Sequence, residues 1–181
     1  MKDNVNMYVC SKPLQYFNVL NLPRDKAKKN ILVIEDKFKG AYTFYESVKL
    51  YDDSWNEIHY ADDRSKVFLL CLFTYKVRNL YYYLDFMLRA ASFLYAVPCK
   101  KLFTYEEGIS AYRTNIFKNT ANYKRKIRKL FGFKEYAGFH PRVKGIYVYN
   151  KEKYLKIFSA FRDEKKLHPL PFNTSFEQML E

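Results

Sequence analysis

The sequence is poor in glycine and lacks the spacing that a nucleotide-binding loop requires. Its 181 residues include 5 glycines, at positions 40, 108, 132, 138 and 145, and no two of these are separated by a single residue. A glycine-rich loop around a dinucleotide or a triphosphate needs closely spaced glycines, because the backbone must approach the phosphates. The sequence therefore excludes nicotinamide-dependent Rossmann enzymes and P-loop nucleoside triphosphatases.

Metal-ligand patterns and long apolar runs are also missing. The 3 cysteines have no C-x-x-C spacing, the 3 histidines form no H-E-x-x-H pair, and no D-x-D occurs. These absences argue against a bound catalytic metal, and the odd cysteine count without a signal peptide indicates unpaired thiols in a cytoplasmic protein. The longest apolar run, 67–73, is far shorter than the roughly 18 residues of a membrane span. Any membrane contact is therefore expected to be peripheral, at the inner membrane.

Positive charge and aromatic rings are abundant instead. Lys and Arg number 32 against 19 Asp and Glu, which gives a formal charge of +13, and 19% of the residues are aromatic. Ten basic residues and one acidic residue lie between Tyr112 and Lys144. The positive electrostatic field of such a protein favours anionic partners.

The basic segment 112–144 has three interpretations. The first is a solvated amphipathic helix over 122–130 that buries Tyr123, Ile127 and Leu130. The second is peripheral attachment to an anionic membrane leaflet, where basic residues and interleaved aromatic rings both contribute to binding. The third, and the least favoured, is nucleic-acid binding.

Short β-type runs alternate with helical patterns along the chain. The β-type runs are 6–10, 31–34, 57–60, 79–84, 101–105 and 145–149, and helical patterns cover 13–22, 41–51, 86–96 and 152–161 and begin again at Ser65. Ser65 or Asp63 is expected to cap the helix that begins there. This alternation predicts an α/β fold with a Rossmann-like, mostly parallel sheet and helices on both faces. We expect one lobe over 1–162, followed by a linker or C-terminal tail over 163–181.

Two segments are expected to bring polar residues to the carboxyl edge of that sheet, where open α/β sheets bind ligands. One contains Ser11 and Gln15, between the first strand and its helix. The other contains Glu106, Glu107, Gly108 and Ser110, after the strand 101–105. Successive side chains of an extended strand point to opposite faces, so only one of the two glutamates could act as a base on a given substrate. Gly108 can adopt the positive φ of a sharp turn and so leave the carboxylates at the rim.

The residues 76–108, together with YVCSKPLQYFNVL near the start of the chain, resemble the bacterial sialyltransferases of glycosyltransferase family 52, which include lipooligosaccharide and capsular enzymes. Those sequences have a strand that ends in an acidic D/E-D/E-G motif followed by a small polar residue. Glu106, Glu107, Gly108, Ile109 and Ser110 fit that motif. The resemblance covers about residues 5–160 and is strongest over 76–117.

The resemblance implies one lobe of a GT-B glycosyltransferase. It implies metal-independent, inverting transfer of sialic acid from CMP-sialic acid, a substrate and not a cofactor, to a hydroxyl of a bacterial surface glycan. It assigns the general base to Glu106 and a supporting role to Glu107. A base is needed because a hydroxyl is a weak nucleophile until its proton is accepted.

Donor binding in the family involves a His-Pro motif of a second lobe. The pairs His140-Pro141 and His168-Pro169 lie too soon after the E-E-G motif to match it by position. We therefore expect the donor lobe to be absent, which leaves the activity of this chain alone open, and we retain His140 as a candidate substrate-binding residue. Expected partners are a glycan acceptor, including a lipid-linked one, an anionic membrane and a second copy of the chain. The competing class is a non-catalytic basic α/β module that binds anionic lipid or nucleic acid.

Overall fold

In the part of the chain that it describes, a computed structural model shows seven β-strands in one sheet, flanked by helices. The structure describes residues 2–83, 88–112, 140–159 and 166–171, together with 114, 123, 126, 130 and 138. The elements in chain order are β1 (Asn4–Cys10), α1 (Pro13–Leu20), β2 (Lys29–Glu35), α2 (Ala41–Tyr51), β3 (Glu57–Ala61), α3 (Arg64–Leu69), β4 (Lys76–Tyr82), α4 (Leu88–Ala96), β5 (Lys101–Tyr105), β6 (Val143–Val148), α5 (Lys151–Ile157) and β7 (Leu167–Pro169).

The strand order is β3-β2-β1-β4-β5-β6-β7, and every described pairing is parallel. The chain moves outward from β1 to β3 and then continues on the other side of β1 with β4. The carboxyl ends of β1 and β4 therefore flank the point where the strand order reverses. The predicted α/β class with a Rossmann-like parallel sheet is confirmed.

Packing on both faces explains why the central strands are apolar along their length. On one face, Cys71 Sγ, which follows α3, lies 3.6 Å from Met7 Sδ of β1. The opposite face of the same strand carries the Tyr8 ring, whose centroid is 5.3 Å from that of Trp55, after α2. Right-handed crossovers, the rule for parallel strands, place α1 and α2 on this second face.

Asp63 caps the first turn of α3, as the sequence predicts. Its carboxylate accepts a hydrogen bond of 2.8 Å from the Ser65 backbone N–H and a longer one from Lys66. The helix does not continue far, because Leu70–Thr74 forms a wider π-helical turn that closes with a 2.9 Å bond from Tyr75 N–H to Leu70 O. The π-helical turn ends the helix at the amino edge of the sheet. Strand β4 then begins at Lys76, three residues earlier than predicted.

Two other boundaries differ from the predictions. Part of the expected linker or tail over 163–181 is a strand, because Leu167 and Pro169 pair with Ile146 and Val148 of β6 as the edge strand β7. The lobe therefore extends past the expected boundary at 162. The helix predicted over 152–161 begins one residue earlier and ends at Ile157.

Most of the basic segment 112–144 lies outside the described residues. Of its predicted buried stripe, Tyr123 and Leu130 are described, and their exposed fractions are 60% and 83%. The prediction that these two side chains are buried is therefore wrong. Ile127 lies outside the described part of the chain. None of the helices in the described ranges is long and apolar enough to cross a bilayer.

Candidate functional site

The loops that follow β1 and β5 meet at the carboxyl edge of the sheet, beside the reversal of strand order. This position is where open α/β sheets form ligand sites. The Asn18 side-chain amide of α1 donates a 2.7 Å hydrogen bond to the backbone carbonyl of Glu106, just beyond β5. The helix that begins within the first of the two segments selected from the sequence is therefore in direct contact with the second segment, although 88 positions separate Asn18 and Glu106.

Gly108 turns the chain back toward α1 immediately after the two glutamates. Its φ is +100°, in the left-handed region that favours glycine, as the sequence predicts. A Cβ at this position would lie 3.4 Å from Leu14 Cδ2, so the turn packs against the first turn of α1. The turn thereby holds Glu107 near Gln15 in the first turn of α1.

Ser11 and Gln15 are hydrogen-bonded to each other beside Glu107. The Ser11 backbone N–H and hydroxyl donate to Gln15 Oε1 at 2.6 and 2.9 Å. Burial raises the pKa of Glu107, while the positive charge of Lys12 and the neighbouring Gln15 side chain oppose this rise. Glu107 is half-buried and Lys12 is exposed, so this carboxylate retains contact with solvent.

Glu106 occupies a different environment on the other side of the turn. Its exposed fraction is 2%, and its carboxylate accepts hydrogen bonds from the Tyr112 hydroxyl at 2.6 Å and the Tyr149 backbone N–H at 2.8 Å. Burial raises its pKa, while those two hydrogen bonds and the charge of Lys153 lower it. The expectation that the turn leaves both carboxylates at the rim is wrong for Glu106, because packing around β6 and the turn after β5 encloses it.

A second group of polar residues lies beside Ser11 and extends across β4 and β2. The Tyr83 hydroxyl, which is close to the Ser11 side chain, donates to Glu35 Oε2 at 2.6 Å. Glu35 Oε1 accepts from the Tyr82 hydroxyl at 3.1 Å, and Tyr82 accepts from Arg64 Nε at 2.7 Å. We call the whole series the carboxyl-edge network; its members are Arg64, Tyr82, Glu35, Tyr83, Ser11, Gln15 and Glu107.

The sequence analysis missed Glu35, Tyr82, Tyr83 and Arg64 as members of this network. One available signal was the position of Glu35 directly after the apolar run 31–34, which places a carboxylate at a strand end. The rings of Tyr82 and Tyr83 are buried in the core. Their hydroxyl groups nevertheless point into a polar chain that involves three strands.

A cavity of about 490 Å³ adjoins the Arg64 end of the network. Its lining residues follow β2 and β3 or lie on α3 and α4: Lys37, Asp63, Arg64, Ser65, Phe68 and Phe93. The Asp63 carboxylate accepts hydrogen bonds from the α3 backbone, so it is already engaged. The lining therefore contains two cationic side chains, while its one carboxylate already caps α3. It favours an anionic or polar ligand that also contacts two aromatic rings.

Two candidate residues do not extend this site. His140 precedes β6 and so lies at the opposite, amino edge, where its buried ring packs on Tyr95 with centroids 4.1 Å apart. Its Nδ1 accepts a 3.3 Å hydrogen bond from the Arg142 backbone N–H. The structure therefore separates His140 from the other predicted substrate-binding residues. Ser110 lies in the 3₁₀ turn Ile109–Tyr112, and its side chain is outside the described part of the structure.

Within the described ranges, no three His, Cys, Asp or Glu side chains are grouped as metal ligands. The fold and the site together define an α/β protein with a Rossmann-like sheet and a polar carboxyl edge. Comparison of the chain with protein-family models, with curated proteins and with solved structures found no match.

Proposed function

We propose that the chain is the acceptor-side lobe of a glycosyltransferase that transfers a sugar from a nucleotide donor to a glycan hydroxyl. The observation that carries the proposal is the contact between the Glu106–Gly108 turn and helix α1, which carries Gln15, beside the reversal of strand order. Both segments belong to the resemblance to family 52 sialyltransferases, which names CMP-sialic acid as the donor and a bacterial surface glycan as the acceptor.

The general base in this proposal is Glu107. It is half-buried, its pKa is raised by burial, and its carboxylate is oriented by Gln15. A base whose pKa lies closer to neutrality accepts a proton more effectively at the transition state. As the acceptor oxygen bonds to the anomeric carbon, its proton passes to Glu107. The bond from that carbon to the phosphate oxygen breaks, and CMP leaves with the electron pair.

Glu106, which the resemblance names as the base, has a positioning role in the proposal. Its carboxylate already accepts hydrogen bonds from Tyr112 and Tyr149 and has almost no exposed surface. A general base must reach within about 3 Å of the hydroxyl proton that it abstracts. Glu106 instead links the turn after β5 to the end of β6 and so holds Glu107 in place.

The cavity beside Arg64 supports an acidic sugar as part of the substrate. Lys37 and Arg64 supply positive charge, and Phe68 and Phe93 supply apolar surface for a sugar ring. The hydrogen bonds of Tyr82 with Arg64 and Glu35 hold the Arg64 guanidinium at the cavity, where it can meet a sugar carboxylate.

Transfer from CMP-sialic acid tests the proposal directly. The chain, alone and together with the donor lobe of a family 52 sialyltransferase, is incubated with CMP-sialic acid and a panel of oligosaccharides with different terminal sugars, and the products are measured by mass spectrometry. Glu107→Gln is expected to lower the rate about 10²- to 10⁴-fold, the usual contribution of a general base. Glu46→Gln, an exposed site on α2, is the matched control and is expected to retain the wild-type rate.

Glu106→Gln separates the two glutamates. Because its amide oxygen can still accept a hydrogen bond, we expect a folded protein with a rate reduced less than tenfold. Full activity in Glu107→Gln together with loss of activity in Glu106→Gln would return the base to Glu106. If no acceptor is modified and none binds by saturation-transfer NMR, the proposed function is wrong.

A further inference from the structure

The amino edge of the sheet carries a second cavity, on the opposite side of the molecule from the proposed catalytic edge. Its volume is about 540 Å³. The lining combines a floor of buried side chains with exposed lysines at the rim: Lys2, Asn4, Cys71, Leu72, Tyr75, Lys76, Val77, Pro98, Cys99 and Lys100. The floor is apolar where Cys71 and Val77 close it, and the rim is cationic.

Exposed apolar side chains project beside this cavity. They belong to the end of α3 and the π-helical turn that follows it, where Leu69 and Phe73 are 48% and 66% exposed and Leu72 is also exposed. The wider turn displays Leu72 and Phe73 in succession while Cys71 faces the core. An aliphatic and an aromatic side chain at a surface turn can insert into a less polar phase without any change in the fold.

The charge around this apolar projection is positive. Lys2, Lys76 and Lys100 are exposed at the cavity rim, and the Lys2 ammonium donates to the backbone carbonyl of Leu72. The nearby Asp3 carboxylate is already paired with Lys29 at 2.7 Å. The rim therefore presents three lysines, while the adjacent carboxylate has its own counter-ion.

We propose that this amino edge is a docking surface for an anionic lipid bilayer. Basic side chains that surround exposed apolar residues are the features by which proteins bind the headgroup region of membranes. Each Lys or Arg near an anionic leaflet strengthens binding about fivefold. The apolar floor of the cavity suits the glycerol and upper acyl region of a lipid whose phosphate meets the lysines. The surface uses none of the residues of the proposed catalytic site.

Nucleic acid and a second copy of the chain fit this surface less well. Single-stranded nucleic acid binds through bases stacked on aromatic rings, whereas two of the three projecting side chains, Leu69 and Leu72, are aliphatic. A second copy that met the same surface would place Lys76 and Lys100 opposite their own equivalents. A bilayer satisfies the apolar and the cationic parts together.

Vesicle sedimentation with the full chain tests the proposal. One set of vesicles is phosphatidylcholine alone, and the other is equal parts phosphatidylcholine and phosphatidylglycerol. We expect wild-type protein to sediment with the anionic vesicles and not with the neutral ones. The double variant Lys76→Glu with Lys100→Glu is expected to lower the partition coefficient onto anionic vesicles by at least about twentyfold. Leu72→Ser with Phe73→Ser is expected to lower it about tenfold.

The control variants carry the same chemistry on α2 and the loop before it. Leu50→Ser with Tyr51→Ser removes two exposed apolar side chains, and Lys39→Glu with Lys49→Glu reverses two exposed charges. We expect the apolar control to bind like wild type and the charge control to lose less than threefold. An amino-edge variant that binds no worse than its control, or wild-type protein that fails to sediment, would overturn the proposal. So would binding of a single-stranded oligonucleotide that depends on Lys76 and Lys100 without vesicle binding.

Discussion

Asn18 of α1 bonds both to the turn after β5 and to the residue that follows β6. Its amide nitrogen donates to the Glu106 carbonyl at 2.7 Å, and its amide oxygen accepts from the Tyr149 hydroxyl. One buried side chain thus connects the first helix, the turn after β5 and the end of β6. These are the elements that enclose Glu106 and present Glu107.

Asn18→Ala is expected to destabilise the protein by about 1–3 kcal/mol, because the buried Glu106 carbonyl loses its donor. The free energy of unfolding is measured by urea denaturation followed by circular dichroism. Ser47→Ala, which removes an exposed side-chain bond to Thr43, serves as the control and is expected to change stability by less than about 0.5 kcal/mol. Equal stabilities of the two variants would show that the Asn18 bonds contribute nothing to the fold.

Glu106→Gln is expected to change how stability depends on pH. Burial raises the folded-state pKa of Glu106 above its ordinary value of 4.5, so the unfolded chain releases this proton first. The contribution of Glu106 is therefore fully present below pH 4.5 and is lost as pH rises through the folded pKa. The glutamine cannot ionise, so the variant should gain stability relative to wild type as pH rises from about 4 toward 7.

Urea denaturation of both proteins at several pH values measures this effect. Glu46→Gln, at an exposed position of α2, controls for the loss of one negative charge. A constant stability difference between Glu106→Gln and wild type across the pH range would contradict the raised pKa.

Lys12→Ala is expected to raise the pKa of Glu107. The ammonium of Lys12 stabilises the Glu107 carboxylate, and its removal leaves burial less strongly opposed. Titration of the side-chain carboxyl carbon by ¹³C NMR measures this pKa without an activity assay. Lys12→Arg preserves the charge and should leave the titration near that of wild type. If the pKa of Glu107 rises in both variants, the effect of Lys12 comes from its packing and not from its charge.

Gly145→Ala is expected to loosen β7. A Cβ on Gly145 would lie 2.6 Å from His168 Nε2 and 3.1 Å from Phe103 Cδ1, so the His168 ring must move. We expect a loss of about 1–3 kcal/mol of stability, typical of overpacking, and faster amide exchange in β7. The companion variant His168→Ala with Gly145→Ala removes the ring that clashes. If the double variant exchanges no more slowly than the single one, the contact with His168 is not the cause.

Local patterns predicted most of the sheet and its helices. The helix over 41–51 and the strand over 101–105 have the observed bounds, because their apolar spacing is regular and their ends carry clear signals. The strand β7 was missed because it has three residues and ends in Pro169, which only an edge strand tolerates. No local pattern distinguishes so short a strand from a loop.

The site was predictable in position but not in detail. Parallel-strand topology brings the ends of β1 and β5 to one edge, and this placed Ser11, Gln15 and Glu107 correctly. The burial of Glu106 depends on Tyr149, 43 positions further along the chain. Such a contact follows from how β6 aligns beside β5, which residue spacing does not encode.

The length of β1 gives the docking proposal a geometric consequence. Its seven residues run from Asn4 at the amino edge to Cys10 at the carboxyl edge, a rise of about 20 Å. A protein seated on a bilayer by Phe73 and its neighbouring lysines would hold Glu107 at about that height above the headgroups. At this distance from the membrane, the expected acceptor is a sugar at the outer end of a surface glycan and not the sugar attached to the lipid.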